Sequence, residues 1–367
     1  MTKQTTPDTS SEARLTIAAR KQKKQILSRT IRPVDLASPL SIAGLVDAMK
    51  DSSIQARNIG LCATVLDRML TDKGRPTVFL GLAGPLIAAG LRKVIRDLIA
   101  GGYVDVVVST GAIMYQDIYQ AHGHRHYRGT PAADDAVLRS LYIDRIYDTY
   151  VDEEKFWDTD MWCGRMADQL EPGTYSSRQY LDYLGSQLSD DDSIVRTCHK
   201  LGVPIFCPAL NDSSIGIGLT DHRHRCKKGN RQGIAIDSIQ DNYELTQIVV
   251  KSKKTAAIYV AGGVPKNYIN DSIVMGYIFG LDRGHAYAIQ VTTAVTADGG
   301  LSSSTLGEAQ SWGKIRTDAD CAMAWVEPSV AMPLLAGYVF ERHPAPCRPR
   351  LSLHWQGDIL TSLKSVK

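Results

Sequence analysis

The sequence predicts an α/β protein with a mostly parallel sheet, helices on both faces and a helical insertion. Three observations carry this prediction. Short apolar, β-rich runs recur along the chain, each is followed by a loop rich in Gly, Asn or Asp, and most loops lead into a helical pattern. The runs are nearly continuous in apolar residues rather than alternating, as expected for strands covered on both sides.

The elements follow in order. Residues 1–13 are polar and rich in Ser, Thr and Pro, a composition that predicts disorder. Between 12 and 32, Arg14, Arg20, Lys21, Lys23, Lys24, Arg29 and Arg32 face only Glu12. This basic helical stretch reads as a flexible, solvated arm over 1–35. The main domain then runs from 36 to 345, with 346–367 as a C-terminal tail. An amphipathic helical stretch covers 40–72. Residues 77–81 (TVFLG) read as a buried strand, and the turn Leu82-Ala83-Gly84-Pro85 leads into a helix reaching about residue 100. Pro85 suits a first helical position, where a missing N–H costs nothing. Residues 103–109 (YVDVVVS) predict a second strand, followed by Thr110-Gly111-Ala112 and a helix over 113–121. Residues 122–195 are more polar and carry Tyr127, Tyr142, Tyr147, Tyr150, Trp157 and Trp162, which predicts a mainly helical insertion. The strand–loop–helix plan resumes at 203–207, 256–260, 286–293 and 322–326, the last leading into Glu327-Pro328-Ser329 and a final helix.

Composition narrows the function classes. The chain has 367 residues, 44% of them hydrophobic, enough for one large or two modest domains. A net charge of +3 gives no excess pointing to nucleic acid. Seven cysteines form no CxxC pair, and their odd number argues against a disulfide framework and for a reducing compartment. The N-terminus lacks the apolar core of a secretion signal, and no run reaches the roughly 18 apolar residues of a membrane helix. A soluble, cytoplasmic protein without membrane partners is expected.

In parallel sheets, ligands bind beyond the carboxyl ends of the strands. There the sequence places Gly81 and Gly84, Thr110-Gly111, Asn211-Asp212-Ser213, Gly262-Gly263 and Asp298-Gly299-Gly300. Glycines let a backbone approach a pyrophosphate, and helix N-termini offer free N–H donors. The GxGxxG fingerprint is absent. Any single loop is more often a tight turn, but together they suit a dinucleotide or similar polar ligand. The stretches His122-Gly-His124-Arg-His126 and His222-Arg-His224-Arg-Cys226 are interleaved with arginines, which repel a cation, so surface or interface roles are expected and no metal. Ser213-Ser214 lacks the GxSxG context of a hydrolase. Lys314 follows Trp312-Gly313 and precedes Ile315 in a stretch poor in charge. Pattern alone leaves it a surface lysine in the ordinary reading. Enclosed by apolar walls, it would instead be a nucleophile or Schiff-base former, with Glu308 anchoring a cationic amine and Trp312 holding it by a cation–π contact.

At Ser311-Trp312-Gly313-Lys314 the chain resembles deoxyhypusine synthases, whose catalytic lysine lies in this motif. The similarity runs in order from about 76 to 340: VDVVVSTGA at 104–112, FCPALNDSSIG at 206–216, GGVPKN at 262–267, the Thr293 to Asp298-Gly299 region, EAQSWGKIRTDA at 308–319 and PSVAMPLL at 328–335. STGAIMYQD, NDSSIG and IQVTTAVTADGGLSS look most like a bacterial, deoxyhypusine synthase-like branch. The resemblance implies a Rossmann-like domain, a homotetramer with NAD sites near subunit interfaces, and a transferase. Spermidine, or a similar polyamine, loses a hydride to NAD; Lys314 takes the aminobutyl group as an imine and passes it to an acceptor amine, a protein lysine or a small diamine. It also implies NAD contacts from Thr110, Gly111, Asp212, Gly262, Gly263, Thr293, Ala294, Asp298 and Ser329. Glu308, Trp312 and Asn267 are the implied substrate-side residues. The chain departs from the family pattern at Ile217 and Leu301, where acidic residues are expected, at Asn267 in place of a general-base histidine, and at Gln116 and Gln290. Losing two carboxylates from a polyamine site removes charge-assisted contacts worth about 1.5–3 kcal/mol each. Homospermidine synthesis from small polyamines, or amine dehydrogenation without transfer, are the competing expectations.

Overall fold

The computed structural model describes residues 15–37, 41–297 and 304–366; the expectations for residues 1–13 and for the loop over 298–301 fall outside them. Helix α1 (Ile17–Ile26) is capped by Thr16 and buries none of its residues. The amphipathic stretch forms α2 (Ile42–Lys50) and α3 (Ile54–Thr71). Then come β1 (Thr77–Leu82), α4 (Arg92–Ala100), β2 (Val106–Ser109) and α5 (Gly111–Ala121). The insertion comprises β3 (Tyr127–Arg128), α6 (Asp135–Ser140), β4 (Ile143–Ile146), β5 (Thr149–Asp152), α7 (Glu153–Ala167), β6 (Gly173–Tyr175), α8 (Ser177–Gln187) and the start of α9 (Ile194–Leu201). It is followed by β7 (Ile205–Phe206), α10 (Ser214–Lys228), β8 (Ile234–Ile236), α11 (Ser238–Lys251), β9 (Thr255–Val260), α12 (Gly263–Ile278), β10 (His285–Val291), α13 (Leu306–Ser311), β11 (Ile315–Ala324) and α14 (Pro328–Arg342). A hairpin of β12 (Arg350–Gln356) and β13 (Ile359–Val366) ends the described chain.

Six strands form one sheet in the order β11-β10-β9-β1-β2-β7, with every pairing parallel. Counted along these six, the order is 6-5-4-1-2-3, that of dinucleotide-binding α/β sheets. All six residues of β1 and of β9 are buried, and the period-2 pleat divides them between two cores. Val78, Leu80 and Leu82 pack with Val46, Ile59, Ile95, Ile113 and Leu335 of the helices on one face. Phe79 and Tyr259 pack with Leu245, Ile248, Ile269 and Ile273 of α11 and α12 on the other. The expected parallel sheet with two covered faces is the fold observed.

Several local readings change. The helix expected from Pro85 begins only at Arg92. Turns occupy the intervening residues because Gly84 (φ 89) and Gly90 (φ 84) take left-handed conformations that end a helix rather than extend it. The proline at a first helical position is Pro328, with Glu327 as its cap. The insertion is helical but also holds the antiparallel sheet β3-β5-β4. The C-terminal segment is tied into the domain. Buried Asp105 accepts hydrogen bonds from both terminal nitrogens of Arg75 (2.6 and 2.7 Å), from Arg348 Nη2 (2.8 Å) and from the Val78 amide (2.8 Å). Gln247 on α11 bonds Asp358 O and Leu360 N of the hairpin.

Candidate active site

In this strand order the connections after β1 and β9 leave in opposite directions, which opens a crevice at the carboxyl edge. Helix α5 starts at Gly111 on that edge, and Thr110 makes no side-chain cap bond. A Cβ at Gly111 would lie 2.4 Å from Ser213 Oγ and 3.2 Å from Leu210 O. The loop after β7 therefore presses on the start of α5 and brings exposed Asp212 beside Thr110 and Gly111. The loop after β9 is also held tightly. Ala261 has φ 61, its amide donates to Val291 O (2.8 Å), and its carbonyl accepts from Gln290 Nε2 (2.9 Å). A non-glycine residue in this region costs roughly 1–3 kcal/mol and persists only where its surroundings impose it. No side chain caps α12 after Gly262, so the N–H groups of its first turn point into the crevice without a side-chain acceptor. Thr293 and Ala294 follow β10, with the Ala294 amide donating to Thr292 Oγ1. Ser329 lies in the first turn of α14, its amide donating to Glu327 Oε2 (2.8 Å). The implied cofactor residues thus gather along one edge, except Asp298, which lies outside the described residues.

Lys314 stands elsewhere. Helix α13 opens with a capping box in which the Glu308 carboxylate accepts from the Thr305 amide and Thr305 Oγ1 from the Glu308 amide. The turn after it is fixed by Lys314 N to Ala309 O (3.1 Å) and by Tyr277 Oη to Gly313 O (2.9 Å). Lys314 O then accepts from the His285 amide at the start of β10. From His285 to Val291 the strand spans roughly 20 Å, so the Lys314 backbone and Thr293 lie at opposite ends of β10. The Lys314 side chain is 13% exposed, with Nζ 3.8 Å from Asp271 Oδ1 and 5.5 Å from the centre of the Trp312 ring. Burial raises the Asp271 carboxyl above its ordinary range, and the positive Lys314 opposes this. Trp312 is two-thirds exposed, an indole wall open to solvent on its outer side. Glu308 is exposed and occupied by its cap.

Lys266 links the two regions. It is 1% exposed, and its Nζ donates to Gln290 Oε1 (3.0 Å) and to Ser304 O. Burial lowers it from 10.5 to about 8, helped by the positive Lys314 and opposed by Glu308. Gln290 in turn bonds the Ala261 carbonyl beside Gly262. Sequence reasoning did not single out Lys266 or Asp271. The available signal was the i, i+4 spacing of Asn267 and Asp271, which puts them on one face of α12.

His122 and His224 are exposed, as expected for surface roles, but His222 and Cys226 are placed differently. His222 is 2% exposed, not a surface residue. Asp168, His222 and Cys226 converge closely enough to hold a cation, but each carboxylate oxygen of Asp168 already accepts from Arg225 or Arg231. His222 Nδ1 lies 2.8 Å from Asp168, and its Nε2 accepts from the Ile234 amide, so the group acts as an internal tie. A cavity of about 280 Å³ between Arg178, His199 and Trp355 lies at the β7 edge, away from Lys314.

The family model of deoxyhypusine synthase matches residues 44–339. The chain belongs to the deoxyhypusine synthase family. A deoxyhypusine synthase-like protein of Chlorobaculum tepidum is 41% identical over 335 residues, covering 89% of this chain and 94% of the relative. One from Coxiella burnetii is 40% identical over 328 residues, covering 87% and 91%. The fold is also that of a crystal structure from Entamoeba histolytica assigned as a deoxyhypusine synthase, with a TM-score of 0.57 at 19% identity over 85% of this chain and 97% of that one. Against the family pattern, Ile217 is an exposed apolar residue on α10. Asn267 keeps a buried Oδ1 that has no hydrogen-bond partner among the described residues. Among those residues no helix is long and apolar enough to cross a membrane.

Proposed function

We propose that this chain is an NAD-dependent aminoalkyl transferase. Lys314 takes a 4-aminobutyl group from a spermidine-like polyamine and passes it to an acceptor amine. The observation that carries this reading is the Lys314 side-chain nitrogen, largely enclosed between Trp312 and Asp271 within the motif where the chain resembles the family. The carboxyl edge suits a dinucleotide, because α5 and α12 start there without side-chain caps. Thr110, Gly111, Asp212, Gly262, Gly263, Thr293, Ala294, Asp298 and Ser329 would hold it. NAD supplies hydride acceptance from the donor amine and hydride return to the final imine. The protein's own part is to bind and orient. Trp312 offers its π face to the donor's cationic nitrogen, and Lys314 forms the covalent bond that divides one difficult displacement into two easier ones. The separation of Lys314 from the carboxyl edge supports a homotetramer in which neighbouring subunits complete each site. Seven unpaired cysteines support a reducing, cytoplasmic setting.

The test is to incubate the purified protein with NAD and spermidine, putrescine or agmatine, reduce with borohydride and map the peptides. An adduct on Lys314 is expected, and Lys314→Ala should lose it together with at least about 10³-fold in turnover. Homospermidine formed from putrescine identifies a small-diamine acceptor, and label on a protein lysine the alternative. NADH released without any Lys314 adduct overturns the transferase reading in favour of an amine dehydrogenase.

A further inference from the structure

Asn267, in the first turns of α12, carries an amide, which cannot take up a proton at neutral pH. One helical turn further along α12, on the same face, stands Asp271. Among the described residues it is the carboxylate paired with Lys314 Nζ, at 3.8 Å. Glu308, the other acidic candidate, is exposed and engaged with Thr305.

We propose that Asp271 is the proton carrier for imine exchange at Lys314. This rests on the transferase reading above. In the exchange, the Lys314 Nζ–carbon bond forms and the bond from that carbon to the leaving amine breaks. Asp271 carries one proton from the attacking nitrogen to the leaving nitrogen, and no atom is oxidised or reduced. The 3.8 Å gap is one side-chain adjustment or one water molecule from hydrogen-bond distance, within the looseness usual before substrate binds. Half-burial supports the role by raising the carboxyl's proton affinity, which brings it nearer that of an amine. The charged and titratable groups that interact with Asp271 are Lys314 and Tyr268, with Lys266 and Glu308 beyond Lys314. Lys314 opposes that rise and favours the ionised carboxylate, the form that accepts a proton.

The experiment uses butanal and cyanoborohydride without NAD, and reads the rate of Lys314 alkylation by peptide mapping at pH 8. The parent protein should label Lys314 ahead of its other lysines. Asp271→Asn should label about 100-fold more slowly, within the usual range for general base catalysis. Asp271→Ala should regain at least several-fold in rate with added acetate, a response that a merely structural residue does not give. An Asp271→Asn rate matching the parent, or an Asp271→Ala variant that folds and is indifferent to acetate, overturns the assignment. If the parent itself shows no preference for Lys314, it is the transferase reading that fails.

Discussion

Replacing Lys266 by Met tests whether a buried ammonium joins the two halves of the site. Burial moves this group from an ordinary 10.5 to about 8. At about 1.4 kcal/mol per pH unit, holding its charge in the folded state costs about 3 kcal/mol at neutral pH. The folded proton affinity is below the unfolded one, so between pH 8 and 10.5 the unfolded chain binds more protons, and stability rises with pH across that window. Methionine carries no such dependence. Urea unfolding of both proteins at pH 7.5, 9 and 10.5 should therefore show the parent gaining about 3 kcal/mol relative to Lys266→Met. At pH 7.5 two effects oppose each other. Gln290 Oε1 and Ser304 O lose their donor, at about 1–3 kcal/mol each, while the charge penalty disappears. The variant should then fold with a loss of no more than about 3 kcal/mol. Because Ser304 leads into α13 and Gln290 holds the Ala261 carbonyl, the rate of Lys314 adduct formation should still fall at least about 10-fold, some 1.4 kcal/mol of barrier. A stability difference that stays flat from pH 7.5 to 10.5 would refute the idea of a charged, desolvated Lys266.

Two further outcomes follow from the packing. Gly111→Ala places a methyl group 2.4 Å from Ser213 Oγ; pushing that loop away should cost about 1–3 kcal/mol and weaken NAD binding at least about 10-fold by calorimetry, with little change in butanal labelling of Lys314. Arg348→Ala removes one of two guanidinium partners from buried Asp105; it should lower the unfolding free energy by about 3 kcal/mol, read as a drop in the urea midpoint.

What the sequence revealed of the fold depended on whether a strand is covered on both faces. Thr77–Leu82 and Thr255–Val260 lie in the middle of the sheet, so their apolar runs mark them directly. At the edge, β11 begins at Ile315, well before the apolar stretch at 322–326. Its polar residues Arg316, Asp318 and Asp320 tolerate exposure there, since one edge needs no partner strand. The short strands of the insertion are mostly exposed or half-exposed, so no apolar run marks them. Burial of His222 was masked by its neighbours: arginines three residues and nine residues further on, Arg225 and Arg231, reach back to Asp168 and make a charged sequence into a satisfied interior knot.

The site was legible in part for a different reason. Glycines at strand ends report backbone demands, which are local, so the carboxyl edge could be read residue by residue. Proton transfer at Lys314 depends instead on which side chain of α12 faces it. That is decided by the docking of α12 on the sheet, where Ile269 and Ile273 turn inward and leave the Asn267–Asp271 face toward the lysine. Local sequence offers no charge pattern that singles out Asp271 from the 39 acidic residues of the chain. Its meaning comes from the Lys314 amine 3.8 Å away. On the proposal above, the proton carrier lies outside the motif that holds Lys314, and only the fold places that carboxylate beside the amine it would serve.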